Sequence, residues 1–240
     1  MATRYIDFIS AYCDSWCERC AFTERCSHFA VRSALGMCDG NYDAAVELAI
    51  GPPRLPGKAA QKSLRERMAE AIGDGEPSQS ELEAIKRELL ERQERARRFP
   101  IAEKSRDYAV AADRWLQDHA RRADHTDPAI RDAIEAVGWD LHLIPVKIIR
   151  ALQGRDEHGG GAAVVKRAVQ SDWNGSAKVA LLSLERSERA WRALAEATAD
   201  ESAAALARSL QALRADVVRE FPDAMTFQRP GFDTSGRPSR

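Results

Sequence analysis

The sequence predicts an all-α protein: a Cys-rich N-terminal helical module over 1–50, a charged helical hairpin over 58–100, a four-helix bundle over 101–221 and a flexible tail over 222–240. Three observations carry this reading. Apolar residues recur at 3–4 spacing along most of the chain, no alternating strand pattern of useful length interrupts them, and Gly/Pro clusters punctuate the periodic stretches.

The first module holds every Cys and stops at Gly51-Pro52-Pro53-Arg54-Leu55-Pro56-Gly57, which cannot continue a helix. Lys58 to Ile72 and Ser80 to Phe99 are rich in Ala, Glu, Arg, Leu and Lys and flank Gly73-Asp-Gly-Glu-Pro-Ser78, so they read as the arms of a hairpin. In the second arm Leu82, Ile85, Leu89, Ala96 and Phe99 form a narrow stripe. A stripe that narrow offers itself to a protein partner, and the hairpin is read as a docking arm.

Pro100 opens the bundle, with Tyr108, Ala112, Trp115, Leu116 and His119 marking one face. Ile130, Ile134, Val137, Leu141, Ile144, Ile148 and Ala151 step by 4, 3, 4, 3, 4, 3, a seam that runs from Asp127-Pro128 to Gly154 and that Pro145 should kink. Asn174-Gly175-Ser176 reads as a turn and N-cap before Ala177, Leu181, Leu184, Trp191 and Leu194. Leu206, Leu210, Leu213 and Val217 mark the last helix, and four antiparallel helices are the economical way to bury these faces. The Pro- and Gly-rich stretch from Pro222 to Arg240 reads as extended and mobile.

The composition narrows the function classes. Lys plus Arg is 36 against 37 acids, and with no long basic block nucleic acid is not indicated. Asp7 and Ser10 interrupt any signal-peptide core. The most apolar stretch, Ala136 to Leu152, contains Asp140, His142, Pro145, Lys147 and Arg150, so no membrane span is expected. Four of the 5 Cys crowd between Cys13 and Cys26, which suits a thiolate site in a reducing cytoplasm better than a disulfide framework.

That cluster, Cys13-x3-Cys17-x2-Cys20-x5-Cys26, is the candidate metal site, with His28 and Cys38 as spare donors. Thiolates at such spacing ligate zinc or an iron–sulfur cluster. Tyr5, Ile6, Phe8, Ile9, Tyr12 and Trp16 give the segment a helical apolar pattern. On one regular helix Cys13 and Cys20 would stand about 10.5 Å apart along the axis. One zinc ion needs its sulfurs within about 4 Å of each other, so a [4Fe–4S] cluster ranks slightly ahead of zinc. A break in the helix near Glu18-Arg19 would restore zinc. The cluster's role is redox, structural or regulatory; half-buried core cysteines and a redox dithiol are the competing readings.

The segment Tyr12-Cys-Asp-Ser-Trp-Cys-Glu-Arg-Cys-Ala-Phe-Thr-Glu-Arg-Cys26 resembles a group of bacterial helical proteins that begin with a Trp-Cys-Glu-Arg-Cys motif, and the likeness returns at Asn174-Gly-Ser-Ala-Lys-Val-Ala180. Ala21 stands where that group has proline. The resemblance implies a bacterial cytoplasmic protein and carries over no functional residue.

Other constellations dissolve on inspection. Gly36-Met-Cys-Asp-Gly40 and His158-Gly-Gly-Gly161 mimic a hydrolase elbow and oxyanion loop, but in the wrong order and without strands. The missing strands likewise oppose a radical S-adenosylmethionine barrel. Arg114-x4-His119 matches a helical-bundle ribonuclease pattern at chance frequency, and His119 reads better as a core-edge histidine. No Glu precedes any His by three, which removes a ferritin-like di-iron site, and Ala21 after Cys20 removes covalent haem. The alternative to a metalloprotein is an enzyme with a polar pocket inside the bundle, built from Glu135, Trp139, His142, Lys178 and Glu185. An interhelical hydrogen-bond network or a solvated face is the plainer account of those residues.

Overall fold

The computed structural model describes residues 4–51, 78–119, 127–158 and 169–233. Among them there are helices and turns and no β-strand. The first hairpin arm, Lys58 to Ile72, and the Gly-rich stretch Gly159 to Gly161 lie outside the described residues. The chain divides into two compact units, one of Met1–Ile6 and Arg19–Glu91, the other of Asp7–Glu18 and Arg92–Arg240. The sequence reading had residues 1–50 as one module; Asp7–Glu18 instead belongs with the larger unit.

In the first unit α1 (Ser27–Leu35) and α2 (Tyr42–Ile50) pack together around Ala34 and Ala45. Asn41 caps α2, its Oδ1 accepting from the Ala44 amide at 3.1 Å. The N-terminal residues are tied on by the Ile6 amide donating to Arg25 O at 2.9 Å and by Tyr5 Oη donating to Ala49 O at 2.6 Å. The helix α3 (Gln79–Arg97) starts on a reciprocal cap. Ser78 Oγ accepts from the Glu81 amide at 3.3 Å while Glu81 Oε2 accepts from the Ser78 amide at 2.8 Å. Those Ser78 hydrogen bonds hold the Glu81 carboxyl below its usual range.

The second unit is built on α4 (Pro100–His119), α5 (Pro128–His158), α6 (Asp172–Thr198) and α7 (Glu201–Glu220). Each packs on the next and α7 returns to α4, closing a ring around one apolar core. Val137, Ile144, Ile148, Leu184, Trp191, Leu194, Leu210, Leu213 and Val217 are fully buried there. The 3–4 seam explains why: six of its seven positions are buried and Ile134 is partly so. Trp191 brings a polar atom inside, and its Nε1 donates to Tyr108 Oη at 3.0 Å, which in turn lies 2.8 Å from Ser187 Oγ. Burial pushes the Tyr108 phenol up to about 12. Trp115 meets Trp191 edge-on at 4.9 Å. His119 stacks on Trp115 at 4.7 Å and faces Asp200 Oδ2 at 3.3 Å.

Three boundaries differ from the sequence reading. Gly154 lies inside α5, which runs to His158, whereas Pro145 lies inside the helix as the sequence reading has it. Asn174-Gly175-Ser176 is not a turn; the cap is Ser171, whose Oγ accepts from the Asn174 amide at 3.3 Å. Gly175 is there because Tyr12 and Phe227 cross the helix: a Cβ would stand 2.4 Å from the Tyr12 ring and 2.8 Å from Phe227. Finally, the flexible tail expected over 222–240 is packed as far as it is described. Phe221, Ala224 and Phe227 are buried, Lys178 Nζ donates to Phe227 O at 2.6 Å and pairs with Asp233 at 2.8 Å, and Asp233 also pairs with Arg229 at 3.1 Å. Burial works against the Asp233 carboxylate, but the Arg229 and Lys178 hydrogen bonds hold its pKa down at about 2.

Candidate functional site

The Cys-bearing segment is not the regular helix its periodicity predicts. Ile9–Tyr12, Cys17–Arg19 and Thr23–Arg25 are single 3-10 turns. Phe8 and Ser15 take left-handed backbone at φ 59° and 60°, and Cys13 is extended. Local hydrogen bonds hold these breaks: the Trp16 amide donates to Asp14 Oδ1 at 3.2 Å and the Cys17 amide to Ser15 O at 3.0 Å. Cys13, Cys17 and Cys20 therefore do not line one helix face, and the helical rise no longer ranks a cluster above zinc.

The stretch from Tyr12 to Trp16 is bent because it serves the second unit. Trp16 is buried and stacks on Trp139 at 5.5 Å, the Trp139 indole donates to Asp14 O at 2.8 Å, and the Arg186 guanidinium lies over the Trp16 ring at 5.1 Å. Arg186 is forked by Asp140, with contacts of 2.5 and 2.9 Å, and by Asp14 at 2.6 Å. The two carboxylates hold the guanidinium charged, and its pKa is raised despite its burial. Asp140 is fully buried, and that burial pushes its carboxyl up against the pull of Arg186. Lys147 is also buried, and burial lowers its pKa while the electrostatic pull of Cys13 and Asp14 opposes the shift. Burial first, and then Asp172, raises the Tyr12 phenol.

None of the five thiols is in a disulfide, and all are half-buried. Cys13 Sγ donates to Ser10 O at 3.3 Å. Cys20 Sγ accepts from the Phe22 amide and Cys26 Sγ from the Phe29 amide, each at 3.4 Å, the latter as the cap of α1. Cys38 sits half-buried in the turn between α1 and α2, and His28 is exposed in the first turn of α1. Among the described residues no three His, Cys, Asp or Glu side chains stand together as a ready ligand set.

The polar pocket expected inside the bundle is not assembled from the residues chosen for it. Glu135 and His142 are exposed, Glu185 lies half-buried 3.8 Å from Arg189, and Lys178 is engaged with Phe227 and Asp233. His142 instead lines a hollow of about 250 Å³ with Asp14, Ser15, Gly138 and Trp139. The sequence reading missed the Asp14–Arg186–Asp140 cluster. Its signal was Asp140, a charged residue three and four positions from the seam residues Val137 and Ile144. No helix among the described residues is long and apolar enough to cross a membrane. Comparison of the chain with protein-family models, curated proteins and solved structures finds no match.

Proposed function

We propose that the chain is a cytoplasmic metalloprotein in which Cys13, Cys17, Cys20 and Cys26 supply thiolates to a zinc ion or an iron–sulfur cluster. The observation that carries this is the pair of main-chain amides aimed at sulfur, Phe22 to Cys20 and Phe29 to Cys26. Amide donors of this kind orient a metal-bound thiolate and tune its charge. The donor chemistry fits: four soft sulfurs at short spacing, in turns rather than in a stiff helix.

A zinc ion would supply a structural crosslink, and a cluster would supply one-electron chemistry. The residues of the chain prepare for either. Asp14 and Trp16 fix the backbone between Cys13 and Cys17, and the Lys147 cation beside Cys13 offsets thiolate charge. The module layout read from the sequence places this site ahead of a charged hairpin and a four-helix bundle. The hairpin's second arm supports its reading as a docking arm for a protein partner, because Leu82, Ile85 and Leu89 on α3 are each about half exposed (52%, 51% and 53%).

Anaerobic purification with elemental analysis and a visible spectrum tests the proposal. Brown protein with stoichiometric iron assigns a cluster, colourless protein with stoichiometric zinc assigns a structural ion, and Cys17→Ser or Cys20→Ser abolishes either. A sample with neither metal, or variants with unchanged metal content, ends it.

A further inference from the structure

The ring of helices is grooved where α4 meets α7. Between α4 and α7 runs a groove of about 650 Å³, floored by Tyr108, Trp115, Leu206 and Leu213. Its α7 wall carries only small residues, Ser202, Ala205, Ser209 and Ala212. Its α4 wall carries Lys104, Asp107, Ala111, Arg114 and Asp118, a 3-4-3-4 stripe along one face of the helix. Over those residues the stripe is about 21 Å long at about 1.5 Å per residue.

The charges on that stripe are antisymmetric about Ala111. Seven residues before it stands Lys104 and seven after it Asp118; four before it stands Asp107 and three after it Arg114. Reversing the helix about Ala111 therefore sets Lys104 against Asp118 and Asp107 against Arg114, on both sides of a two-fold axis. Asp107, Arg114 and Asp118 have no ion-pair partner among the described residues, and Lys104 pairs with Asp216 through one of its three N–H donors. At the axis Ala111 permits close helix approach, and its neighbour Val110 is 61% exposed.

We propose that this groove is the interface of a homodimer, in which α4 of a second copy lies antiparallel in it across Ala111. By symmetry each α4 fills the groove of the other copy, covering the Tyr108–Trp115 floor and meeting the small-residue wall of α7. A parallel arrangement sets Lys104 on Lys104 and Asp107 on Asp107, so the charges select the antiparallel one. The exposed methyls of Ala111, Ala205 and Ala212 supply the apolar contact, because the floor beneath them is already buried; the four ion pairs supply the register.

Sedimentation velocity of the full chain from about 1 to 100 µM tests this, with far-UV circular dichroism confirming that each variant is folded. The wild type is expected to dimerise. Asp107→Arg and Arg114→Asp, each of which sets like charges face to face, should weaken the dimer at least tenfold. The double variant Asp107→Arg/Arg114→Asp restores the complementarity with reversed sign and should recover affinity to within about threefold of wild type. A wild type monomeric throughout, leaving the groove to a small ligand or another protein, overturns the proposal. So do single variants that dimerise like wild type, which place the interface elsewhere, and a folded double variant that stays monomeric.

Discussion

Tyr108 shows how much one buried polar atom can decide. Its hydroxyl is the acceptor for the Trp191 indole at 3.0 Å and the partner of Ser187 at 2.8 Å, in a core where the Trp191 side chain has no access to water. Tyr108→Phe removes one oxygen and leaves two groups unsatisfied, a loss of about 1–3 kcal/mol by chemical denaturation at pH 7. The same residue sets an alkaline limit. Its pKa is raised by burial from 10.0 to about 12, so the folded state keeps a proton that the unfolded chain has released. Its contribution is complete below pH 10 and is lost as pH rises toward 12. The stability of Tyr108→Phe should fall less steeply across that window than that of the wild type. Equal slopes would mean that the hydroxyl is not held as the structure shows. Asp140 is the opposite case at this scale: a buried carboxylate whose company, Arg186 and then Asp14, is what makes its burial tolerable.

At the scale of elements, the start of α6 is where chain from both sides of the ring of helices crosses. Tyr12 and Phe227 meet at 4.7 Å over Gly175. Gly175→Ala forces a methyl within 2.4 Å of the Tyr12 ring carbons, and the expected destabilisation is about 2–3 kcal/mol even though alanine is the better helix former. Tyr12→Ala in the same chain should recover part of that loss. If Gly175→Ala alone is neutral or stabilising in thermal melts, Tyr12 does not lie on α6. These crossings also show what the sequence made legible and what it did not. The helices of the ring announced themselves because their apolar period coincides with their burial, as at Val137, Leu141, Ile144 and Ile148. The segment from Tyr5 to Trp16 has a similar period, yet tertiary contacts pull Ile9 and Trp16 inward and leave Phe8 at 77% exposure. Pairwise docking of that sort has no periodic signature. Beyond Phe221, the Pro and Gly residues masked a three-residue spacing, Phe221, Ala224 and Phe227, all of which are buried. The thiol spacing suggests metal chemistry, which stands as a proposal, whereas the Asp14–Arg186 contact, 172 residues apart in sequence, left no signal in it.

For the whole molecule, the proposed metal would act on the ring of helices through the segment that carries Cys13 and Cys17. Cys13 and Cys17 bracket Asp14 and Trp16, and those two residues are fixed to Arg186 and Trp139. Ordering of Cys13 and Cys17 by the proposed metal would therefore order the segment between them, whose Asp14 and Trp16 contact Arg186, and loss of that metal would free it. Binding confined to the native state stabilises by about 2.7 kcal/mol at a free concentration of about 100 Kd. For a unit of this size about 1 kcal/mol moves Tm by about 2–4 °C. Removal of the metal by chelation should thus lower the melting temperature of the helices, followed by far-UV circular dichroism, by about 5–10 °C. Trp16→Ala should both lower Tm and shrink the chelation effect, because it cuts the mechanical link while leaving all four thiols in place. If holo- and apoprotein, their metal contents measured, melt together, the thiols hold their ion without support from the helices, and the clamp formed by Asp14 and Trp16 is structural only.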